Sequence, residues 1–181
     1  FKFNMYFAGA GDNQKLIETK ANRLYSFAND LKQINRFSNE EDRGPLLVDS
    51  GAFSVAHSGA VVDIDEYIKF INVNKRIENF IELDEIPFPI LNIQTAFESA
   101  EGSYKNYLYM VDRLDNPFVL LPVFHFGESI EYFRKYLEFT YEGKHIPFMC
   151  IGGRHGVSTQ KQEEYFKVIF KEIHSSSNKD I

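Results

Sequence analysis

Four short, mostly apolar segments of this chain are each followed directly by polar residues or by glycine. The segments span residues 46–48, 80–83, 119–123 and 148–151, and the residues after them include Asp49-Ser50-Gly51, Asp84, His125 and Gly152-Gly153. Apolar runs of this length are typical of buried parallel strands. A parallel (β/α) barrel collects its chemistry at the rim where such strands end. The repetition therefore predicts an enzyme, or the remnant of one.

Helical patterns fill the intervals between these segments, and two weaker strands are predicted near the start of the chain. The two strands lie at residues 3–7 and 23–27, and helices are expected over 13–21, 29–43, behind Asp63, over 104–114, over 130–137 and from 159 onward. Asp63 and Glu66 form a capping-box pattern. The last helix is expected to bury Phe166, Ile169, Phe170 and Ile173. Residues 86–102 contain prolines and are expected to be a long connection, of the kind that is often functional.

The spacing of the strands predicts the fold. Strand starts recur about every 30–40 residues, the size of one strand–helix unit of a barrel. Six strands are predicted, whereas a closed barrel needs about eight strands and roughly 250 residues. The predicted fold class is therefore α/β, of the (β/α)8 TIM-barrel type, with about six of the eight units present. Residues 1–174 are assigned to one incomplete barrel domain, and residues 175–181 to a linker-like tail.

Composition narrows the setting in which the chain works. Hydrophobic content of 44% is ordinary for a soluble globular protein, and a net charge of −6 gives no bulk electrostatic hold on nucleic acid. The single cysteine, Cys150, excludes an internal disulfide, which fits a reducing cytosol. No apolar run approaches about 20 residues, and the first residues lack a signal-peptide pattern. We expect a cytoplasmic protein with no membrane segment.

Two of the polar strand ends offer carboxylates. Asp49, followed by Ser50 and Gly51, would place a carboxylate and closely approaching backbone beside a flat ligand. The equally weighted alternative is that Asp49 caps the next helix. Asp84 and Glu85 cannot both face one pocket, because successive strand side chains alternate. The structural alternative for this acidic pair is an ion pair with Arg or Lys at the rim.

The other two strand ends offer an imidazole and bare backbone. A lone histidine is more often structural than catalytic, but the strand-end position of His125 brings the two interpretations level. Gly152 and Gly153 would let backbone groups approach a planar ring. A phosphate-binding loop is the rival interpretation, because Arg154 and His155 follow, although no Gly-x-Gly-x-x-Gly or Walker pattern is present. A metal site has little support, since one cysteine is too few for a structural zinc and no His-x-x-x-His pair occurs, and no cofactor is expected.

The order of these motifs resembles the tRNA-guanine transglycosylase superfamily. Asp49-Ser50-Gly51-Ala52-Phe53, Leu83-Asp84-Glu85, residues 122–127 and Ile151-Gly152-Gly153 stand where that family has Asp-Ser-Gly-Gly-Phe-Gln, Phe-Asp-Glu, Val-Gln-Gly-Gly and Ile-Gly-Gly. The resemblance covers roughly residues 3–155. It is closer still to the short, mostly phage-encoded queuine tRNA-ribosyltransferase-like branch, which includes DNA 7-deazaguanine transglycosylases.

The resemblance implies a pentosyltransferase that exchanges guanine for a 7-deazaguanine in tRNA or DNA. In that family a carboxylate attacks C1′ of a guanine nucleotide and expels guanine, and the 7-deazaguanine then attacks the covalent intermediate. By residue match, Asp49 is implied to be the proton-transferring aspartate, and Asp84 to bind the guanine-type edge. His125 stands near the family's base-binding glutamine. The substrate-binding residues predicted on this basis are Ser50, Gly51, Phe53, Asp84, His125, Gly152 and Gly153.

Two departures from the family pattern limit what this chain is expected to do. The family's nucleophilic aspartate lies on the eighth strand, for which residues 1–181 have no counterpart. The family's zinc motif, with three cysteines and a histidine, is absent too, as it is in the short branch. Asp112 and Asp115 precede the fifth strand and are expected at the opposite rim. We therefore expect the chain to bind a base but not to complete exchange, unless further residues or a partner supply the nucleophile.

Three functions remain open at this point. The leading one is guanine/7-deazaguanine base exchange on nucleic acid by a barrel truncated before its nucleophile. The second is a catalytically inactive module that binds a nucleobase or nucleotide. The third is an unrelated barrel hydrolase whose rim acids arose by convergence. Neither the choice between tRNA and DNA nor the existence of a homo-oligomer follows from the residues.

Overall fold

A computed structural model describes residues 4–8, 14–52, 61–86, 93–152 and 156–181 of the chain. The strands are β1 (Phe7–Ala8), β2 (Arg23–Ser26), β3 (Leu46–Asp49), β4 (Asn79–Ile81), β5 (Leu120–Leu121), β6 (Val123–His125), β7 (Thr140–Tyr141), β8 (Lys144–His145) and β9 (Cys150–Gly152). The helices are α1 (Gln14–Glu18), α2 (Leu31–Ser38), α3 (Ile64–Val73), α4 (Ile93–Val111), α5 (Ile130–Glu138) and α6 (Thr159–Ser175). None of these described helices is both long and apolar enough to cross a membrane.

Strands β1 to β5 form one parallel sheet in chain order. Tyr25, Val48, Phe80 and Leu120 lie side by side on one face of this sheet and are buried beneath the helices. The opposite face carries a second apolar cluster around Leu47, Ile81, Leu121 and Val123. Because side chains on both faces are buried, the strands are apolar throughout and do not alternate. This is the parallel α/β arrangement that the sequence predicts.

Pro122 divides the sheet between β5 and β6. Proline has no N–H group and cannot continue the hydrogen bonds of a strand. Glu82 spans the break, because its backbone N–H donates to the Leu121 carbonyl (3.0 Å) and its Oε1 accepts from the Val123 N–H (2.7 Å). Beyond the break β6 pairs with β9 in parallel, and the Cys150 N–H donates to the Pro122 carbonyl (2.8 Å). The pair thus adds a sixth strand position to the series.

The sheet is open in the part of the chain that the structure describes. β1 pairs with β2 alone and β9 pairs with β6 alone, so the two outer strands do not meet. Six successive parallel positions are therefore observed, and closure into a barrel is not.

The predicted connection over residues 86–102 is wrong in its extent. Helix α4 begins at Ile93 and runs through Gly102. A Cβ at Gly102 would lie 2.3 Å from the Glu85 carboxyl group, so this glycine gives room to a neighbouring side chain and does not break the helix. Glu85 consequently faces α4, while Asp84 faces the opposite way.

Several predicted boundaries shift by one to three residues. The strand expected over residues 80–83 ends at Ile81, and the strand expected over 148–151 is Cys150–Gly152. The last helix buries Ile169 and Ile173 as predicted, but Phe170 remains 42% exposed.

A short antiparallel hairpin between α5 and β9 was not predicted. Strands β7 and β8 pair through Thr140 with His145 and Tyr141 with Lys144. The two turn residues, Glu142 and Gly143, both have positive φ angles, of 50° and 75°. Positive φ at both central positions is the geometry of a type I′ hairpin turn.

The residues after α6 pack against the domain, although they were expected to form a linker. The Asn178 side-chain amide donates to the Ile146 carbonyl (3.0 Å) and is buried. The backbone N–H of Ser177 donates to the Glu138 carboxylate (3.0 Å). The polar composition of this segment therefore serves local hydrogen bonds.

Asp63 is the N-cap of α3, and its removal tests the capping prediction. Its Oδ1 accepts from the backbone N–H groups of Asp65 and Glu66, both at 2.9 Å. We expect Asp63→Ala to lower the free energy of unfolding by about 1 kcal/mol in urea denaturation. Asp63→Asn keeps an acceptor at the same position and should retain most of that stability. Equal losses in the two variants would contradict a capping role.

Candidate functional site

Two aspartates from neighbouring strand ends meet beside one serine. Asp49 is the last residue of β3, and Asp84 lies three residues beyond the end of β4. The Ser50 hydroxyl lies 3.3 Å from Asp84 Oδ1 and 3.5 Å from Asp49 Oδ1, so it can donate to either carboxylate. Parallel strands end at the same edge of a sheet, which is why residues 35 positions apart in sequence come together here.

His125, at the end of β6, joins this cluster. Its Nε2 lies 3.0 Å from Asp84 Oδ2, and its Nδ1 lies 3.2 Å from Glu128 Oε1. The three side chains are almost fully buried, with 4%, 8% and 1% exposure for His125, Asp84 and Glu128. The predicted convergence of Asp49, Asp84 and His125 on one region is therefore what the structure shows. Asp84 also forms an ion pair, but its partner is His125 and not the Arg or Lys that the structural alternative named.

The protonation states of this cluster differ from those of free side chains. Burial by itself lowers the pKa of His125, but the hydrogen bonds and charges of Asp84 and Glu128 outweigh it and raise the pKa to about 10. Burial raises the pKa of the Asp49 carboxyl, and the neighbouring charge of Asp84 raises it further. The site therefore favours a charged imidazole and gives Asp49 a greater tendency to hold a proton.

Asp49 also organises the chain that follows it. Its Oδ1 accepts from the Gly51 N–H (3.2 Å), and Ser50 Oγ accepts from the Ala52 N–H (3.4 Å). Gly51 has a φ of +94°, and a Cβ there would lie 2.5 Å from the Cβ of Ala28. Glycine is thus required at this turn for both conformation and space. Asp49 therefore lies at the strand end and accepts from Gly51. The residues after Ala52, on which the helix-capping alternative depends, lie outside the described residues.

Gly152 lies against the imidazole of His125. A Cβ at position 152 would stand 2.9 Å from His125 Cδ2 and 3.2 Å from Nε2. The backbone of Phe126 donates to the Gly152 carbonyl (3.1 Å), which holds the two strands together at this level. The space beside Gly152, where a planar ligand ring was expected, is therefore occupied by the His125 imidazole. Phe53 and Gly153, the two remaining predicted site residues, lie outside the described residues, as do Arg154 and His155.

Two buried glutamates of the site region were not predicted. Glu128 follows His125 by three residues, and the turn between them brings its carboxylate back onto the imidazole. Glu82 is fully buried; its Oε1 accepts from the Tyr136 hydroxyl (2.9 Å), and burial raises its pKa well above the usual range. Glu82 could have been recognised in the sequence as a charged residue inside an otherwise apolar predicted strand. The His-Phe-Gly-Glu turn was the signal for Glu128.

An apolar cavity of about 480 Å³ lies on the inner face of the sheet, below the aspartates. Leu47 and Cys150 line it, each two residues before a site residue on the same strand. Its other lining residues include Asn4, Tyr6, Asn79, Leu121, Phe148, Phe166, Ile169, Phe170 and Ile173. Burial raises the pKa of the Cys150 thiol to about 12, and the nearby charge of Asp49 adds to the effect. Asp49, Asp84 and His125 themselves do not line this cavity.

Within the described residues, no group of three or more His, Cys, Asp or Glu side chains is arranged to hold a metal ion. Comparisons with family models, curated proteins and solved structures find no match to this chain.

The contact between Gly152 and His125 predicts a specific coupling. In Gly152→Ala the new methyl group meets a ring that two carboxylates hold in place, so the ring cannot turn aside. We expect a loss of about 1–3 kcal/mol in the free energy of unfolding, the usual cost of overpacking. In a His125→Ala background the same glycine substitution should cost much less, which a double-mutant cycle in urea measures. Additive losses would show that the two residues do not press on each other.

The raised pKa of His125 predicts how stability depends on pH. The folded state keeps a proton that an unfolded histidine releases above about pH 6.5. The stabilisation from this proton is therefore complete below about pH 6.5, declines above it, and is lost as the pH reaches about 10. We expect the stability difference between wild type and His125→Gln to shrink over this window in urea titrations. A constant difference would mean that the ring is neutral throughout.

Proposed function

We propose that this chain carries the base-binding and proton-transfer part of a site that exchanges guanine-type bases in nucleic acid. The observation that supports this most is the pair of carboxylates on adjacent strand ends, bridged by Ser50 and held in unlike surroundings. Asp84 faces an imidazole, whereas Asp49 faces only hydroxyl and amide donors among the described contacts. Two acids whose environments differ are suited to two different tasks.

Asp84 is the residue that would bind the base. A guanine-type ring presents an N1–H and a 2-amino group side by side, and both are donors. A carboxylate has acceptor sites on both oxygens, about four lone-pair positions in all, and His125 and Ser50 occupy only part of them. The remaining positions would accept from the base, which selects rings that carry both donors.

Asp49 would move protons during exchange. In the first half of the reaction the bond between C1′ and the outgoing base breaks, an ester forms between C1′ and a nucleophilic carboxylate, and the base leaves with a proton. In the second half the incoming 7-deazaguanine gives up its ring N–H proton and forms the new bond to C1′, which releases the carboxylate. A carboxyl group whose pKa is raised by burial holds a proton more readily than a free aspartate does, which suits it to donate and accept that proton.

The nucleophile is the part of this reaction that the described residues do not assign. Glu82 and Glu128 are the other carboxylates of the region, and both are buried and hydrogen-bonded within the protein. Asp115 pairs with Lys75 at the opposite ends of the strands, and Asp112 pairs with Arg113. This favours a second candidate function, in which the chain binds a nucleobase without exchanging it.

Base binding is tested by a matched pair of neighbouring acids. Asp84→Asn keeps the shape of the side chain but replaces an acceptor oxygen with a donor. We expect it to weaken 7-deazaguanine binding by about 1–3 kcal/mol in calorimetry, the cost of a mismatched buried polar group. Glu85→Gln is the control, because Glu85 faces Gly102 on α4 and should leave affinity unchanged. Equal affinity of wild type and Asp84→Asn would refute the assignment.

Exchange itself is tested by incorporation of labelled guanine or 7-deazaguanine into tRNA and into duplex DNA. With no nucleophile assigned, we expect the 181-residue chain alone to bind the base without incorporating it. Release of guanine without incorporation would instead indicate a hydrolase. Robust incorporation would contradict the expectation, and substitution of Asp49 and of Asp12, which follows β1 in the sequence, would then locate the nucleophile.

A further inference from the structure

One carboxylate fixes both the backbone and the ring of His125. Glu128 Oε2 accepts from the His125 backbone N–H (2.7 Å), and Glu128 Oε1 faces the Nδ1 of the same residue (3.2 Å). Gly127, with a φ of +94°, allows the sharp turn between them, and the Glu128 N–H closes that turn on the His125 carbonyl (3.1 Å). Glu128 therefore fixes both the position and the orientation of the His125 imidazole.

The orientation so fixed presents Nε2 to Asp84 Oδ2 at 3.0 Å. Both ring nitrogens thus face carboxylate oxygens. A neutral imidazole has only one N–H, so one of the two contacts would place an oxygen against an unprotonated nitrogen. With both carboxylates ionised, hydrogen bonds at both ends of the ring require the imidazolium.

We propose that Glu128 and His125 are positioning residues that hold the Asp84 carboxylate in place and aimed at the bound base. This inference rests on the proposed function. An aspartate with 8% exposure is costly to keep charged without a partner, and the imidazolium offsets that cost. Glu128 in turn keeps the imidazole charged, because its carboxylate accepts a hydrogen bond from the second ring N–H.

The remaining groups around the ring do not supply an alternative cation. Asp49 from β3 and Glu82 beside β4 are acids, and the nearby charge of Asp84 raises the pKa of each of them. β9 contributes Gly152, and α6 contributes the Tyr165 hydroxyl, which donates to the His125 carbonyl (3.3 Å). In the described part of the chain, no Lys or Arg forms an ion pair with Asp84 or Glu128.

The proposal makes affinity depend on pH in a way that Glu128 controls. With Glu128 present the imidazolium persists, so binding of 7-deazaguanine should be nearly constant between about pH 6 and about pH 9. Glu128→Gln removes the negative charge beside Nδ1 and leaves one acceptor oxygen for two donors, the His125 backbone N–H and the ring N–H. The ring then becomes neutral at a lower pH, and Asp84 loses its charged partner. Affinity should then fall by about tenfold or more over the same range, the scale of a hydrogen bond to a charged group.

The experiment measures two quantities in three proteins. Calorimetry at about pH 6 and about pH 9 gives the Kd for 7-deazaguanine and for 7-deazahypoxanthine, which lacks the 2-amino group. NMR of the imidazole nitrogens follows protonation of His125 through the same range. The proteins are wild type, Glu128→Gln and Glu131→Gln, the last being a matched control because Glu131 is an exposed acid paired with Lys135. Glu131→Gln should behave as wild type in every measurement.

The outcomes distinguish a failure of the positioning role from a failure of the proposed base-binding function. If wild type binds neither ligand, the proposed function fails. If wild type prefers 7-deazaguanine and Glu128→Gln shows the wild-type pH profile, the positioning role is wrong. A merely structural role would weaken binding equally at both pH values and leave the titration of His125 in place. If Glu128→Gln does not fold, Glu128→Asp takes its place; because it keeps the charge, its affinity must stay nearly constant with pH. A His125 imidazole that is neutral at about pH 8 in wild type overturns the proposal.

Discussion

The missing N–H of Pro122 is the constraint on which the arrangement of this site depends. A parallel sheet cannot pass a proline without losing a hydrogen bond, and here the Glu82 carboxylate accepts the Val123 N–H in place of the regular ladder. The strand is thereby divided in two, yet its second part stays beside β4. That placement brings His125 within 3.0 Å of Asp84, across the line where the sheet is interrupted.

Four acidic side chains lie near the one imidazole of His125 in this region. The balance of charge among them decides the protonation state that each one favours. Asp84 and Glu128 share the imidazolium of His125, which offsets one of their two charges where they are buried. Glu82 forms no ion pair within the described residues, and burial raises its pKa well above the usual range, which favours its neutral form. Asp49 lies between these extremes, at the edge of the cluster. Direct contact with one imidazole thus distinguishes Asp84 and Glu128 from the other two acids.

Much of this arrangement could be predicted from the residues alone. Apolar periodicity located the strands, and the shared edge of parallel strands was sufficient to bring Asp49, Asp84 and His125 together. Glu128 could not be placed, because its contact depends on the turn at Gly127, which sequence spacing does not specify. The role of Glu82 depends on a proline 40 residues later in the chain. The start of α4 was missed because Gly102 looks like a helix breaker until its contact with a neighbouring side chain is known.

Cys150 gives this chain a built-in reporter of its own opening. It is the only cysteine among 181 residues, and it lines the apolar cavity on β9, the outermost strand of its side of the sheet. With a pKa of about 12, only about one thiol in 10⁵ is ionised at neutral pH, and thiolate is the reactive form. Once β9 separates, the thiol returns to a pKa of about 8.5 and reacts far faster. The rate of alkylation therefore rises when this edge of the sheet opens, and the measurement needs no engineered cysteine.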